Sequence, residues 1–418
     1  MINRRAFSAL LAGAAGAAAA PRTAWSQSVS KKTVFYASVG PELALHDVDV
    51  ADAALQKRSA VTLPANIQYV WPHPSRQYLY VVSSNGGPGL IPGDKHLASA
   101  LRIDPASGAL TPHGEPQPLP SRPIHCCVDG AGEYLLTAFN HPSNVTVHRI
   151  NRDGTLGSPV EQTGKPDAGI FGHQVLTTPG NQSAIFVARG NNAEANKPED
   201  PGALKVFGFK DAVLSNRASV APGNGYGFGP RHLDFHPRQP WVFVSVERQS
   251  QLHVYKLTPD HGLAPDPLFV KSSLAEPGNV RRAQAAGAIH VHPNGRFVYL
   301  TNRNSGTVDF EGQKVSGGGE NNVAVFSIDQ ATGEPKLIQN ADAHTVHLRT
   351  FGIDPSGRLL VAASILPMAV REGGGVKTVP AAVSVYRIGD DGKLTFARKY
   401  DVDTGKVMQF WSGMVALG

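Results

Sequence analysis

The sequence predicts an all-β fold, a seven-bladed β-propeller of mostly four-stranded blades, on three observations. Six segments share one outline: a short apolar run, a tight turn, and a second run rich in aromatic and β-branched residues. Their turn positions, Pro74, Gly130, Pro179, Pro237, Pro293 and Pro355, recur at intervals of 49 to 62 residues, the mark of a repeat architecture. Gly (44) and Pro (32) are plentiful while charged residues are only 17%, which suits short strands joined by many tight turns.

Most segments are followed by a third run and a second kind of turn, as in NVAVFSIDQATGEPKL, NVTVHRINRDGTL and AVSVYRIGDDGKL. A unit thus holds three or four strands, which can bury their faces only by stacking on like units. Radial stacking of such sheets makes a propeller. Residues 33–64 carry strand-like runs without the Pro turn and supply the seventh unit, with ring closure shared between the two chain ends. Insertions at 86–97, 191–202, 308–320 and 368–379 are rich in Gly, Asn or charge and are expected to be surface loops, some overhanging the central mouth.

Residues 1–26 lie outside this pattern. A paired-arginine region, Asn3-Arg4-Arg5, precedes an Ala- and Gly-rich apolar stretch and a small-residue cleavage site at Ala24-Trp25-Ser26, which reads as a twin-arginine-type export signal. The alternatives are a general secretory signal or an uncleaved anchor. Residues 27–418 then form one propeller domain, and no later apolar run is long enough to span a bilayer. Removing Arg4, Arg5 and Arg22 lowers the formal net charge from +6 to +3, too weak a surplus to argue for nucleic acid or a membrane surface. The only cysteines, Cys126 and Cys127, are adjacent in an expected strand and read as buried thiols rather than a staple between distant segments.

Counting from each turn locates the polar residues. Six positions before it lie Gln68, Ile124, His173, Arg231, Gly287 and Arg349; ten positions after it lie Ser84, Asn140, Arg189, Glu247, Arg303 and Ile365. Both sets fall at the end of the hairpin opposite the turn, so a closed ring turns both toward one mouth. Within GPRHLDFHPRQPWVFVSVER the hairpin brings Arg231 and Glu247 together at that end. A solvated rim with a structural ion pair is the plain alternative, but titratable groups converging in a concave mouth are the usual place to look for an active site. The turn histidines His73, His236 and His292 sit at the opposite end and are expected to bond the turns. No HExxH, paired-Cys spacing, GxSxG elbow or phosphate-cradling loop occurs, so neither a metal nor a cofactor is expected and a serine-nucleophile hydrolase is disfavoured.

The HPNGRFVYL turn with the following Thr301-Asn302-Arg303, the GPRHLDFHP segment with Glu247, and RTFGIDPSGRLLVAAS from Arg349 resemble the seven-bladed propeller lactonases, which include a 6-phosphogluconolactonase type and the carboxy-muconate cyclases. The resemblance runs from Thr33 to the C-terminus. It implies a catalytic set of His173, Arg231, Glu247 and Arg303, the residues also reached by counting; His232, Arg349, Asn140, His125 and Arg189 are expected to bind substrate. Two departures stand near His173: Ala188-Arg189-Gly190 where relatives carry Asp-Leu-Gly, and Phe171 where a second His is common. The implied chemistry is hydrolysis of a sugar-type or related lactone in the periplasm. His173, with an ordinary pKa near about 6.5, would be the general base. Arg231 and Arg303 would bind a carboxylate or the oxyanion, and Glu247 would orient Arg231 or act as its acid/base partner. Lactone-forming cyclisation of an unsaturated dicarboxylate, or binding without turnover, are the alternatives. The expected partner is a small lactone or carboxylic acid, and the expected state is a monomer.

Overall fold

In the computed structural model, which describes residues 32–88 and 91–418, seven antiparallel sheets form the ring, six of four strands and one, built on Asn66–Pro72, of five, the fifth being the two-residue Gln117–Pro118. The expected export signal over residues 1–26 lies outside the described residues. Blade 1 is built from Thr33–Val39, Glu42–Asp49 and Ala54–Thr62, and its innermost strand is Ser412–Ala416 from the other end of the chain. Thr33↔Ala416 through Ala37↔Ser412 is the register that closes the ring. The inner strands of blades 2 to 7 are Asn66–Pro72, Pro123–Val128, Gly172–Thr177, Pro230–Phe235, Gln284–Val291 and Leu348–Ile353, and successive ones touch around a central channel. Apart from a 3-10 turn at Pro222–Gly225, no helix occurs among the described residues, and none there is long and apolar enough to cross a membrane.

Burial explains why the sequence shows apolar runs rather than strict alternation. The second strand of each blade has a neighbouring blade on both faces: Trp241–Val246 and Leu359–Ser364 are buried at every position. The outermost strands have water on one side, and Ala54–Thr62 is mostly exposed. The apolar clusters accordingly lie between blades, Val34 and Leu45 of blade 1 packing on Val70 and Leu79 of blade 2, and Phe243 of blade 5 on Leu300 and Phe326 of blade 6. Adjacent strand positions point to opposite faces, so Cys127 joins the cluster of blades 3 to 5 while Cys126 joins that of blades 2 and 3. Both are free thiols, and burial pushes the Cys127 thiol up to about 12.

At the turn end each histidine bolts one blade to the next. Nε2 of His73, His236 and His292 lies 2.9, 2.9 and 2.8 Å from the carbonyl of Gly132, Gly295 and Gly357 in the following blade. Nδ1 of His236 and of His292 accepts a backbone N–H of its own turn, from Arg238 and Asn294. Nε2 therefore carries the proton in both. The recipient glycines have positive φ, and a Cβ on Gly295 would fall 2.6 Å from His236 Nε2, so the turn admits no side chain there. We expect His292→Ala to cost about 1–3 kcal/mol, since it strands a buried carbonyl and a turn N–H; urea unfolding at neutral pH measures it.

Two of the four insertions are not irregular loops. Thr307–Phe310 pairs with Gln313–Ser316, and Met368–Glu372 with Gly375–Val379, as two-stranded hairpins. They rest on each other, with the Arg371 guanidinium 4.1 Å from the Phe310 ring centre. Their Gly and charge content reflects a hairpin exposed on most sides.

Candidate active site

The residues that line the mouth are placed by a defect repeated in six blades. Where the inner strand meets the second strand, the register slips at the end away from the turn. Pro230 pairs with Val246 and His232 with Ser245, leaving Arg231 unpaired. The same slip leaves out Gln68, Ile124, His173 and Arg349, and in blade 6 Gly287 and Ala288 face the single Thr301. A β-bulge re-aims the extra side chain and bends the strand. The positions six before the turn are thus bulge positions, which is why one count picked out a ring.

Glu247 is the centre of charge. Arg231 Nε lies 2.9 Å from its Oε2, a contact of opposite charges without hydrogen-bond alignment. Arg189 Nη1 donates to Oε1 at 3.3 Å, and Arg303 Nη2 is 3.5 Å from the same oxygen. Burial by itself would raise the Glu247 carboxyl, but Arg303, Arg189 and Arg231 together hold it down to about 2. It is ionised at neutral pH and anchors three guanidiniums. Burial pushes Arg231 down to about 9, against the pull of Glu247, so it stays charged at neutral pH.

Above this cluster lies a cavity of about 320 Å³ walled by Arg122, Asn140, Phe171, His173, Arg189, Glu247, Arg303, Arg349 and Phe410, with Gly87, Ile91, Asn191 and Glu194 of the overhanging insertions at its edge. Arg349 lies 3.8 Å above the Phe410 ring and Arg122 5.5 Å from it. Arg122 Nε donates to Gln68 Oε1 at 2.9 Å, while Arg349 forms no ion pair among the described residues. Arg189 stacks on Phe171, 4.2 Å from its ring centre, and Phe171 holds a positive φ of 56°.

The structure corrects several sequence expectations. Arg231 is not on the cavity wall: it is 1% exposed, set behind Glu247, and its Nη1 donates to His232 Nδ1 at 3.3 Å. Its bulge aims it beneath the mouth rather than into it. His232 and His125 are likewise under the floor, with ring centres 5.9 Å apart and Tyr69 4.0 Å from His125; strand alternation from the bulge turns them down the channel. His173 is on the wall, but its pKa is not ordinary. Burial, then Arg231 and Arg349, hold the imidazole well below its usual range, and its buried Nδ1 has no partner. It is neutral at neutral pH. Arg122 and Phe410 were missed by counting, because Arg122 lies two positions upstream of the bulge of blade 3 and Phe410 belongs to the closing segment. Among the described residues no three His, Cys, Asp or Glu side chains are grouped to hold a metal ion.

Four guanidiniums therefore face a single small cavity together with two carboxylates, Glu247 and, at the edge, Glu194, and two imidazoles, His173 and His141, a setting whose surplus of cations can hold an anionic group and stabilise developing negative charge. Comparison with known proteins agrees with the architecture. The chain is 28% identical over 349 residues to a 6-phosphogluconolactonase of Bacillus subtilis, covering 81% of this chain and 90% of that protein. It is 24% identical over 388 residues to one of Serratia proteamaculans, covering 92% and 99%. The fold matches the periplasmic gluconolactonase PpgL of Pseudomonas aeruginosa with a TM-score of 0.67 at 19% identity, over 92% of this chain and 99% of that one. The family model described as "Lactonase, 7-bladed beta-propeller" matches residues 35–365, and the chain belongs to that family of seven-bladed propeller lactonases.

Proposed function

We propose that the chain hydrolyses a sugar-type or related lactone that carries an acidic or strongly polar substituent. The observation that carries this is the surplus of charge on the cavity wall: Arg122, Arg189, Arg303 and Arg349 face it with two carboxylates, Glu247, which is committed to Arg189 and Arg303, and Glu194 at the edge, beside a neutral His173. In this reading a water takes position on His173, which accepts its proton as the oxygen adds to the lactone carbonyl carbon. Arg303 and Arg349 stabilise the oxyanion. The ring C–O bond then breaks, and the alkoxide takes back the proton from His173. The arginines that keep the imidazolium short-lived favour that return. Glu247 and Arg231 do not touch substrate; they set the position of Arg303 and Arg189. The relatives named as 6-phosphogluconolactonases support the lactone class. The periplasmic PpgL and the signal read in residues 1–26 support action outside the cytoplasm.

A second reading, lactone formation from an unsaturated dicarboxylate, is favoured by one feature, the division of the guanidiniums into Arg122 with Arg349 on Phe410 and Arg189 with Arg303 on Glu247. Two carboxylates fit two such pairs. A panel of aldonolactones and unsaturated diacids separates the readings. We expect aldonolactone turnover, with Arg349→Ala raising KM for an acidic lactone by about 10- to 100-fold, the worth of one charge-assisted hydrogen bond. Consumption of the open-chain diacid with no aldonolactone turnover would replace hydrolysis by cyclisation, and no turnover of either would remove catalysis from the cavity.

A further inference from the structure

A second cavity, of about 560 Å³, opens at the other end of the channel, with the turn positions Pro74, Gly130 and Pro293 at its rim. Its walls are the inner strands of blades 1, 2, 6 and 7 with the segment before the first of them, and Tyr69, Trp71, Phe351, Trp411 and Met414 line it. It shares no residue with the guanidinium cavity. A buried layer of rings lies on the way from one to the other: Tyr69 packs on His125 at 4.0 Å, His125 on His232 at 5.9 Å, and His232 on His173 at 5.0 Å. The two cavities also differ in character. The lower one is aromatic, and its charged and titratable lining is one guanidinium, Arg76, and one imidazole, His290. Asp234, which accepts the N–H groups of Phe235 and Val291, lies 3.5 Å from His290 Nδ1 and orients that ring at the wall.

Arg76 is the anomaly. It holds a φ of 63°, in the left-handed region that residues other than Gly and Asn seldom adopt. At the same place in the turns of blades 3, 4, 6 and 7 stand Gly132, Asn181, Gly295 and Gly357. At the three glycines the turn histidine of the preceding blade fills the room a Cβ would need. Blade 1 has no such turn, because its inner and second strands come from opposite ends of the chain; this permits a side chain at Arg76 but does not require one. The guanidinium stands at the exposed rim and forms no ion pair among the described residues. A strained backbone kept where glycine would fit without strain points to function. Aromatic walls favour a flat ring that can stack or meet them edge to face, and a single guanidinium fork matches the two coplanar oxygens of one carboxylate. We propose that the lower cavity is a binding site for a flat aromatic carboxylate, its ring among Trp71, Phe351, Trp411 and Met414 and its carboxylate on Arg76. The proposal rests on this cavity alone and not on the hydrolytic reading.

The test is calorimetric titration of the chain with 2-naphthoate, beside its saturated analogue decalin-2-carboxylate and its neutral counterpart 2-naphthalenemethanol, at fixed ionic strength. The variants are Arg76→Gly, Trp71→Ala and, as a control in the upper cavity, Arg349→Ala. We expect naphthoate affinity about 10-fold or more weaker in Arg76→Gly and Trp71→Ala and changed within about 2-fold in Arg349→Ala. On the wild type the neutral alcohol should bind about 10-fold or more weakly than naphthoate, and the saturated acid about 3-fold or more. Trp71 packs on the clusters of neighbouring blades; if its variant does not fold, Arg76→Gly decides, since glycine suits that backbone better than arginine. Urea unfolding of Arg76→Gly gives a readout that a structural arginine would not: stability equal to or above wild type while binding is lost. The proposal is overturned by no naphthoate binding, by binding lost in Arg349→Ala and kept in Arg76→Gly, by equal affinity for either comparison ligand, or by a less stable Arg76→Gly.

Discussion

His173→Ala is expected to lower lactone turnover by about 10²- to 10⁴-fold, the usual worth of a positioned general base, with the blade packing intact. His173 is a bulge residue, outside the regular pairing of its blade, and it is absent from the apolar clusters that join the blades. Removing its ring opens the cavity wall and gives up one inter-blade contact, the edge-to-face packing on His232 at 5.0 Å between ring centres, while the apolar clusters stay whole. The pH profile distinguishes a catalytic imidazole from a merely space-filling one. Burial and the surrounding arginines depress its pKa well below the usual value, so the active neutral form persists through neutral pH and into the acid range. The acid limb of kcat/KM should therefore fall only as pH drops well below about 6.5, and His173→Ala should lose that limb together with the rate. An inflection at the ordinary histidine value in the wild-type enzyme, or near-normal turnover in the variant, would take the base role from His173.

Glu247→Gln carries the largest expected effect on stability, about 3–5 kcal/mol at neutral pH. Removing one partner of a buried ion cluster leaves like charges unbalanced, and here Arg231, 1% exposed, together with Arg189 and Arg303 would lose their only shared carboxylate. The carboxyl is held down to about 2 in the folded chain against an ordinary value of 4.5, a linkage of roughly 3 kcal/mol at about 1.36 kcal/mol per unit. A carboxyl held low in the fold stabilises above its unfolded pKa and loses that stabilisation as pH falls through its folded one. The gap between wild type and Glu247→Gln should accordingly be full above about pH 5 and close as pH falls toward about 2. Urea unfolding of both proteins from pH 7 to pH 3 follows it; a gap constant across that range would show that Glu247 acts through packing instead. Turnover in Glu247→Gln should fall as well, since Arg303 and Arg189 lose the anchor that fixes them.

The repeat was open to reading because every blade solves the same problem in the same way. A second strand covered on both faces must be apolar along its whole length, as in Trp241–Val246, and a turn that docks on the next blade must keep its His, Pro and Gly, as at His292 and Gly357. The count to His173, Arg349, Arg189, Glu247 and Arg303 succeeded for the same reason: each stands at a constant distance from a turn that is itself held in place. Arg231 and Glu247 met as the hairpin implied. The insertions at 308–320 and 368–379 were expected as loops because these surface hairpins bury only Val315, too little to make a strand pattern.

Local chemistry along the chain thus settled the number of blades, their closure by the two ends and the end of the channel where the titratable groups gather. Which of those groups touch the cavity was a matter of three-dimensional packing. A one-residue slip in strand pairing sends Arg231 under Glu247, and ring closure brings Phe410 from the far end of the chain beneath Arg349. Burial among several arginines, a sum over different blades, keeps His173 neutral and Glu247 charged. Spacing is inherited from neighbours in sequence, whereas direction and charge state depend on neighbours in space.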